Sequence, residues 1–170
     1  YGMAMLYDNK GKYGKAIAWY RKSLKADPRF IPGWFFLANA LYETGEKNFS
    51  IECYENVIKL DPENFWAYNN AGSIYEELDM NTEALKYFRK ALEIIPGHHK
   101  ALFNMGVLYS EFLKKPAEGK RYFDRFLDDA PSSHPARSEA ERAIKAASAA
   151  SAQEAVASPS ASPAKLGDKK

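Results

Sequence analysis

Apolar residues fall along the chain in short blocks separated by three or four positions. Between residues 65 and 96, Tyr68, Ala71 and Tyr75 recur at helical spacing, and after a break at 79–82 so do Ala84, Leu85, Phe88, Ala91 and Leu92. The pattern predicts two amphipathic helices joined by a short turn, each with one apolar face. Helices of this length are marginal in water by themselves, so the pair needs a packed neighbour along its apolar seam.

The neighbours are in the sequence. Pro28, Pro62 and Pro96 are equally spaced, and Pro131 lies one position beyond the next equal step. Between the prolines the same residue types return. Tyr68-x-x-Ala71-Gly72-x-x-Tyr75, then Ala84-x-x-x-Phe88, has a predecessor in Trp34-x-x-Leu37-Ala38-x-x-Leu41, then Ser50-x-x-x-Tyr54. Its successor is Leu102-x-x-Met105-Gly106-x-x-Tyr109, then Gly119-x-x-x-Phe123. The spacing predicts helices over 32–44, 48–60, 65–77 and 82–94, with the prolines as stops and Ile31-Pro32 as a start. Small residues at two equivalent points (Ala38, Gly72, Gly106; Ala16, Ser50, Ala84, Gly119) predict close approach of helix axes.

The two ends depart from the pattern. Met3, Ala4 and Tyr7 fit the later core positions of a first helix whose leading large residue would precede Tyr1. Gly11 marks the turn, and 13–26 gives the second helix with Ala16, Tyr20, Ser23 and Leu24 inward. This incomplete start reads as a fragment of a longer array, or as an end that a partner covers. In the fourth unit the extra residue is expected in the turn Leu113-Lys114-Lys115-Pro116, and Arg125 and Phe126 straddle the place that Ala91 holds one unit earlier. One more helix is expected over 135–149, with Ala136, Ala140, Ala143, Ile144 and Ala147 inward and Arg137, Glu139, Glu141, Arg142 and Lys145 outward. Beyond it the chain turns to Ala, Ser and Pro, a composition too poor in apolar surface to order itself.

These motifs strongly resemble the tetratricopeptide repeat (TPR) family, an array of helix-turn-helix units of about 34 residues. The resemblance implies an all-α fold: a right-handed superhelical array of antiparallel helix pairs, with repeats at 1–30, 31–64, 65–98 and 99–131. A capping helix at 132–149 and an Ala/Ser/Pro-rich flexible tail at 150–170 would follow. It also implies a concave face, lined by the first helix of each repeat, that serves as a groove for peptides or partner helices.

Composition narrows the function classes. The net charge of +2 comes from 24 basic and 22 acidic residues, which gives no strong field for nucleic acid or an anionic membrane. Arg21-Lys22 and Arg89-Lys90 recur on second helices, but Glu55-Asn56 interrupts them, so no continuous basic stripe forms and no nucleic-acid partner is expected. No apolar run reaches the ~18–20 residues of a membrane span, so no direct membrane insertion is expected. The compartment stays open.

Candidate chemistry is sparse. Cys53 is the one cysteine, which excludes an internal disulfide and a cysteine metal cluster. His98, His99 and His134 read as loop histidines, and Gly11-Lys12-Tyr13-Gly14-Lys15 lacks the spacing of a phosphate loop. Neither a catalytic set nor a cofactor is expected.

Mapped on the groove that the resemblance implies, the second repeat contributes Phe35, Phe36, Asn39, Tyr42 and Glu43. The third contributes Trp66, Asn69, Asn70, Ser73 and Glu77, and the fourth Lys100, Phe103, Asn104, Val107 and Glu111. Aromatics beside amides suit an extended peptide, with pockets for side chains and donor–acceptor pairs for its backbone. Asn70 and Asn104 lie one repeat interval apart, where several family members grip a peptide backbone with asparagine; the alternative is that they satisfy neighbouring helix groups or water. Glu43, Glu77 and Glu111 repeat at the same interval, either as a solvated face or as a stripe favouring a ligand with Lys or Arg.

The family's chaperone-adaptor branch holds acidic C-terminal tails with a clamp of lysine, asparagine and arginine. Asn39, Asn70 and Lys100 match three clamp positions, but Phe35 and Asn104 stand where cations are needed, which argues against such tails as ligands. The sequence therefore points to a non-catalytic protein-interaction scaffold that binds a peptide, helix or protein partner in its groove. The alternatives are a structural subunit held in an assembly by its open end, convex face or tail, and an array appended to a catalytic domain elsewhere.

Overall fold

The computed structural model of the chain describes residues 1–157, with side chains through residue 149. The regular elements of the described residues are all helical: α1 (Gly2–Asp8), α2 (Tyr13–Ala26), α3 (Ile31–Glu43), α4 (Lys47–Leu60), α5 (Phe65–Glu77), α6 (Asn81–Ile94), α7 (His99–Val107), a π-helical turn (Leu108–Phe112), α8 (Pro116–Asp129) and α9 (Arg137–Ala157). Each helix packs mainly on the helix before it and the helix after it. The core is accordingly a row of local clusters rather than one centre, as a stacked array requires.

Local chemistry sets the boundaries. Asn64 caps α5 by accepting from the Ala67 N–H at 3.1 Å, and one repeat later His98 caps α7 by accepting from the Ala101 N–H through Nδ1. At the ends of α2 and α4, Asp27 and Asp61 accept from the N–H two residues on while Pro28 and Pro62 stop the helix. The inter-helix turns carry a left-handed residue at matching places: Gly11 (φ 65°), Gly45 (φ 83°), Asp79 (φ 57°) and Lys114 (φ 54°).

Helix pairs touch at the small residues. A side chain on Gly72 would meet the Phe88 ring at 2.9 Å and one on Gly106 the Phe123 ring at 2.6 Å, while Ser50 Oγ donates to the Ala38 carbonyl at 2.7 Å. Ala16, Tyr20, Ala71, Ala84, Phe88, Ala91 and Phe123 are buried as the pattern requires.

Several expectations need correction. The extra residue of the fourth unit does not sit in its turn: Lys114 keeps the left-handed conformation of Asp79, and the insertion is absorbed upstream by the π-helical turn Leu108–Phe112. Phe126 itself takes the position of Ala91, and the larger ring is buried against Phe103 and His134 beside α9. Met3 is 44% exposed rather than in the core, on a helix whose main packing partner among the described residues is α2. The ring of Tyr1 packs edge-on to Phe30 at 4.9 Å, near Tyr20 and Phe36. The last helix starts at Arg137 and continues through 150–157, past the expected start of the tail; residues 158–170 lie outside the described part. Arg137, expected outward, folds back so that its guanidinium donates to the carbonyls of Leu127 at 2.8 Å and Ala130 at 2.9 Å.

Candidate functional site

First helices of successive pairs line one wall, and between them lies an open groove of about 620 Å³. Nine of the residues named from sequence line it: Phe36, Asn39, Tyr42 and Glu43 from α3, Asn70, Ser73 and Glu77 from α5, Lys100 and Asn104 from α7. The groove also takes in Asp8 and Asn9 at the end of α1, Tyr13 from α2, Tyr54 from α4, and Ile74 and Glu76 from α5. Asp8 and Glu76 were legible from the repeat interval, since they stand one interval before and one after Tyr42.

Six candidates are placed elsewhere. Asn69 is fully buried and donates through Nδ2 to Asn70 Oδ1 at 3.3 Å, so its amide supports a groove residue rather than meeting a ligand. Phe35 packs edge-on against Phe36 and Tyr54, and Phe103 against Phe123 and Phe126, because this helix position points between helices. Val107 joins the same C-terminal cluster as Phe103. Trp66 is 56% exposed and lies against Phe65 and His98 outside the groove, and Glu111 is exposed on the π-helical turn.

The amides fall into two hydrogen-bonded groups along the groove. Tyr54 OH donates to Asn39 Oδ1 and accepts from Asn70 Nδ2 at 3.2 Å, and Asn104 Nδ2 donates to Ser73 Oγ at 3.3 Å. A side-chain amide has two N–H donors and two lone pairs, so each of these keeps capacity for a further bond.

Charge in the groove is mostly negative: Asp8, Glu43, Glu76 and Glu77 against Lys100. Glu77 accepts from Tyr42 OH at 2.6 Å and pairs with Lys47 at 3.0 Å. Burial alone would raise its pKa, but these two contacts outweigh it and hold the carboxyl below its ordinary value. Glu76 is pushed up to about 7, first by burial and then by the charges of Glu111 and Glu77. The glutamate interval read from sequence thus does not give three equal groove carboxylates. Glu43 and Glu77 line the groove, Glu111 stands outside it, and Glu76 is the half-buried one.

The cysteine and the histidines lie outside the groove. Burial pushes the Cys53 thiol up to about 12, far from a thiolate. The rings of His98, His99 and His134 lie together, at 5.2 Å and 5.0 Å between neighbouring centroids. Nδ1 of His98 and of His134 is occupied by a backbone N–H, and the described residues contain no group of three side chains suited to a metal ion. No helix among the described residues is long and apolar enough to cross a membrane.

Family models agree with this architecture along most of the chain. Models described as tetratricopeptide repeat match residues 1–30, 65–98 and 100–133, and one described as TPR repeat matches 38–79. A protein CTR9 homolog of Arabidopsis thaliana is 30% identical over 112 residues, which are 64% of this chain and 10% of that protein. The chain thus spans about a tenth of that relative's length. Among solved structures, MamA superposes with a TM-score of 0.74 at 22% identity, covering 91% of this chain and 97% of that one. A tetratricopeptide repeat protein from Parabacteroides merdae superposes with a TM-score of 0.78 at 18% identity, covering 86% and 58%. The fold is an all-α, right-handed superhelical array of antiparallel helix pairs, and the chain belongs to the tetratricopeptide repeat family, whose arrays are protein-interaction scaffolds.

Proposed function

We propose that this array is a non-catalytic scaffold that holds a segment of a protein partner, as an extended peptide or a helix, in its concave groove. One observation carries the reading: Asn39, Asn70 and Asn104 from three successive repeats share one open groove, with two of them fixed by Tyr54. A peptide backbone offers donors and acceptors at regular intervals, and amides anchored from behind meet it without first losing rotamer freedom. The groove's aromatic and aliphatic surface, from Phe36, Tyr42 and Ile74, provides the apolar component of such a contact.

The test is selection of binders from a randomised dodecapeptide library on the whole chain, followed by binding to a variant with Asn70→Ala and Asn104→Ala. Loss of about tenfold or more in affinity, with the helical spectrum unchanged, is expected for groove binding. Equal affinity for both proteins moves the contact out of the groove.

A second reading is favoured by the other end of the array, where Tyr1, Met3 and Leu6 are 37%, 44% and 49% exposed. Exposed apolar residues on α1 suit a structural subunit docked through that helix. Its signature is a partner whose binding survives the asparagine changes and is lost on Leu6→Glu.

A further inference from the structure

We infer that the partner segment is basic, with one lysine or arginine side chain seated against the carboxylate of Glu76 midway along the groove. The inference rests on the groove reading above and specifies the chemistry of its ligand.

The carboxylates of the groove are not equivalent. Glu77 is already engaged by Lys47 and Tyr42, and Asp8 accepts a hydrogen bond from Tyr20 OH at 2.9 Å. Glu43 is exposed to water. Glu76 is half-buried and has neither an ion pair nor a hydrogen bond to its side chain among the described residues. Removing a carboxylate from water without a compensating cation is costly, and no ion pair or hydrogen bond among the described residues offsets that cost here.

The surroundings add to the imbalance. Its own helix contributes Glu77 and the π-helical turn Glu111, both of which act on Glu76 as like charges. Across the groove α1 presents Asp8, α2 Tyr13, α3 Tyr42 and Glu43, and α4 Tyr54, while α7 supplies Lys100, the cation on the lining. A groove with four carboxylates and one ammonium complements a positively charged segment and repels an acidic one. A guanidinium or ammonium arriving on a peptide backbone held by the asparagines would complete the pairing that the chain leaves open.

The pairing is linked to pH. Burial, then Glu111 and Glu77, push Glu76 up to about 7, so near neutrality a part of the population carries a proton there. A cation binds the ionised form, and binding therefore releases that proton. Affinity for a basic peptide should rise by about tenfold between pH 6 and pH 8, and the rise should vanish in Glu76→Gln.

The experiment uses the whole chain and the randomised dodecapeptide library, selected in parallel on wild type, on Glu76→Gln and on the Asn70→Ala, Asn104→Ala variant. The expected result is enrichment of Lys or Arg at one fixed peptide position on wild type and loss of that enrichment on Glu76→Gln. A selected Arg peptide should bind Glu76→Gln about tenfold more weakly at pH 8, and calorimetry at about pH 6.5 in two buffers of different ionisation enthalpy should show proton release on binding to wild type alone. Binders that depend on Asn70 and Asn104 but show no basic position, or that bind Glu76→Gln unchanged, overturn the inference and leave the groove reading standing. Binders indifferent to the asparagine changes, or no enrichment at all on wild type, count against both.

Discussion

At position 119 the backbone of the fourth repeat leaves no room for a side chain. A Cβ there would fall 2.0 Å from Ser110 Oγ and 2.8 Å from the Gly106 carbonyl oxygen, and the latter cannot turn aside. Gly72 is crowded in another way, since the atoms a Cβ would meet belong to the Phe88 ring. Gly119→Ala should therefore destabilise the chain by ~1–3 kcal/mol and cost more than Gly72→Ala, read as the shift in the urea midpoint. Equal midpoints for the two variants would mean that α8 moves away from the π-helical turn at little cost. The equivalent residues Ala16, Ser50 and Ala84 tolerate a Cβ and are buried, so the requirement for glycine belongs to the one repeat that carries an extra residue.

Among the elements, the helices of the second and third repeats were read within a residue of where they lie: α5 spans Phe65–Glu77 as expected, and α3, α4 and α6 begin one residue earlier. The interval from Pro96 to Pro131 announces one inserted residue, but a sequence separation is the same whether the residue lengthens a loop or swells a helix. That is why the π-helical turn was misplaced into the turn after it. Arg137 was misread for a related reason. Helical periodicity puts it on the outer face of α9, but as the first residue of that helix it has no preceding turn to hold it there, and it reaches the free carbonyls at the end of α8. Arg137→Ala should cost about 1 kcal/mol and raise amide hydrogen exchange in α9 and the last turn of α8, with α3 to α6 unchanged. Exchange rates that stay at the wild-type level in α9 would show that Ala140 and Ala147 suffice to dock it.

For the whole molecule, packing between successive helices makes stability local. Gly72→Leu, which forces a branched side chain into the Phe88 ring, should speed exchange in α5 and α6 by the equivalent of ~1–3 kcal/mol and leave α8 and α9 near wild type. Uniform loosening of every helix would mean that the array unfolds as one unit. The groove was legible on the same principle: a constant interval brought Asn70 and Asn104 to one wall without knowledge of any contact. What the interval does not reveal is depth. Asn69 has the partly buried aromatic positions Phe35 and Phe103 as its counterparts, and its shorter polar side chain lies deeper than either ring, with its Oδ1 left without a hydrogen bond. Glu76 escaped notice because its neighbour Glu77 carries the visible repetition.

The swelling at Leu108–Phe112 has an effect on anything laid along the concave wall. From Asn9 through Glu43 to Glu77 the array is a ruler with evenly cut marks, and a guest reading it in equal steps keeps its place as far as Asn104. Past that point the next mark is displaced along and around the axis, so a guest cut to the regular step falls out of phase there. The fourth repeat thus sets where such a guest must end or bend.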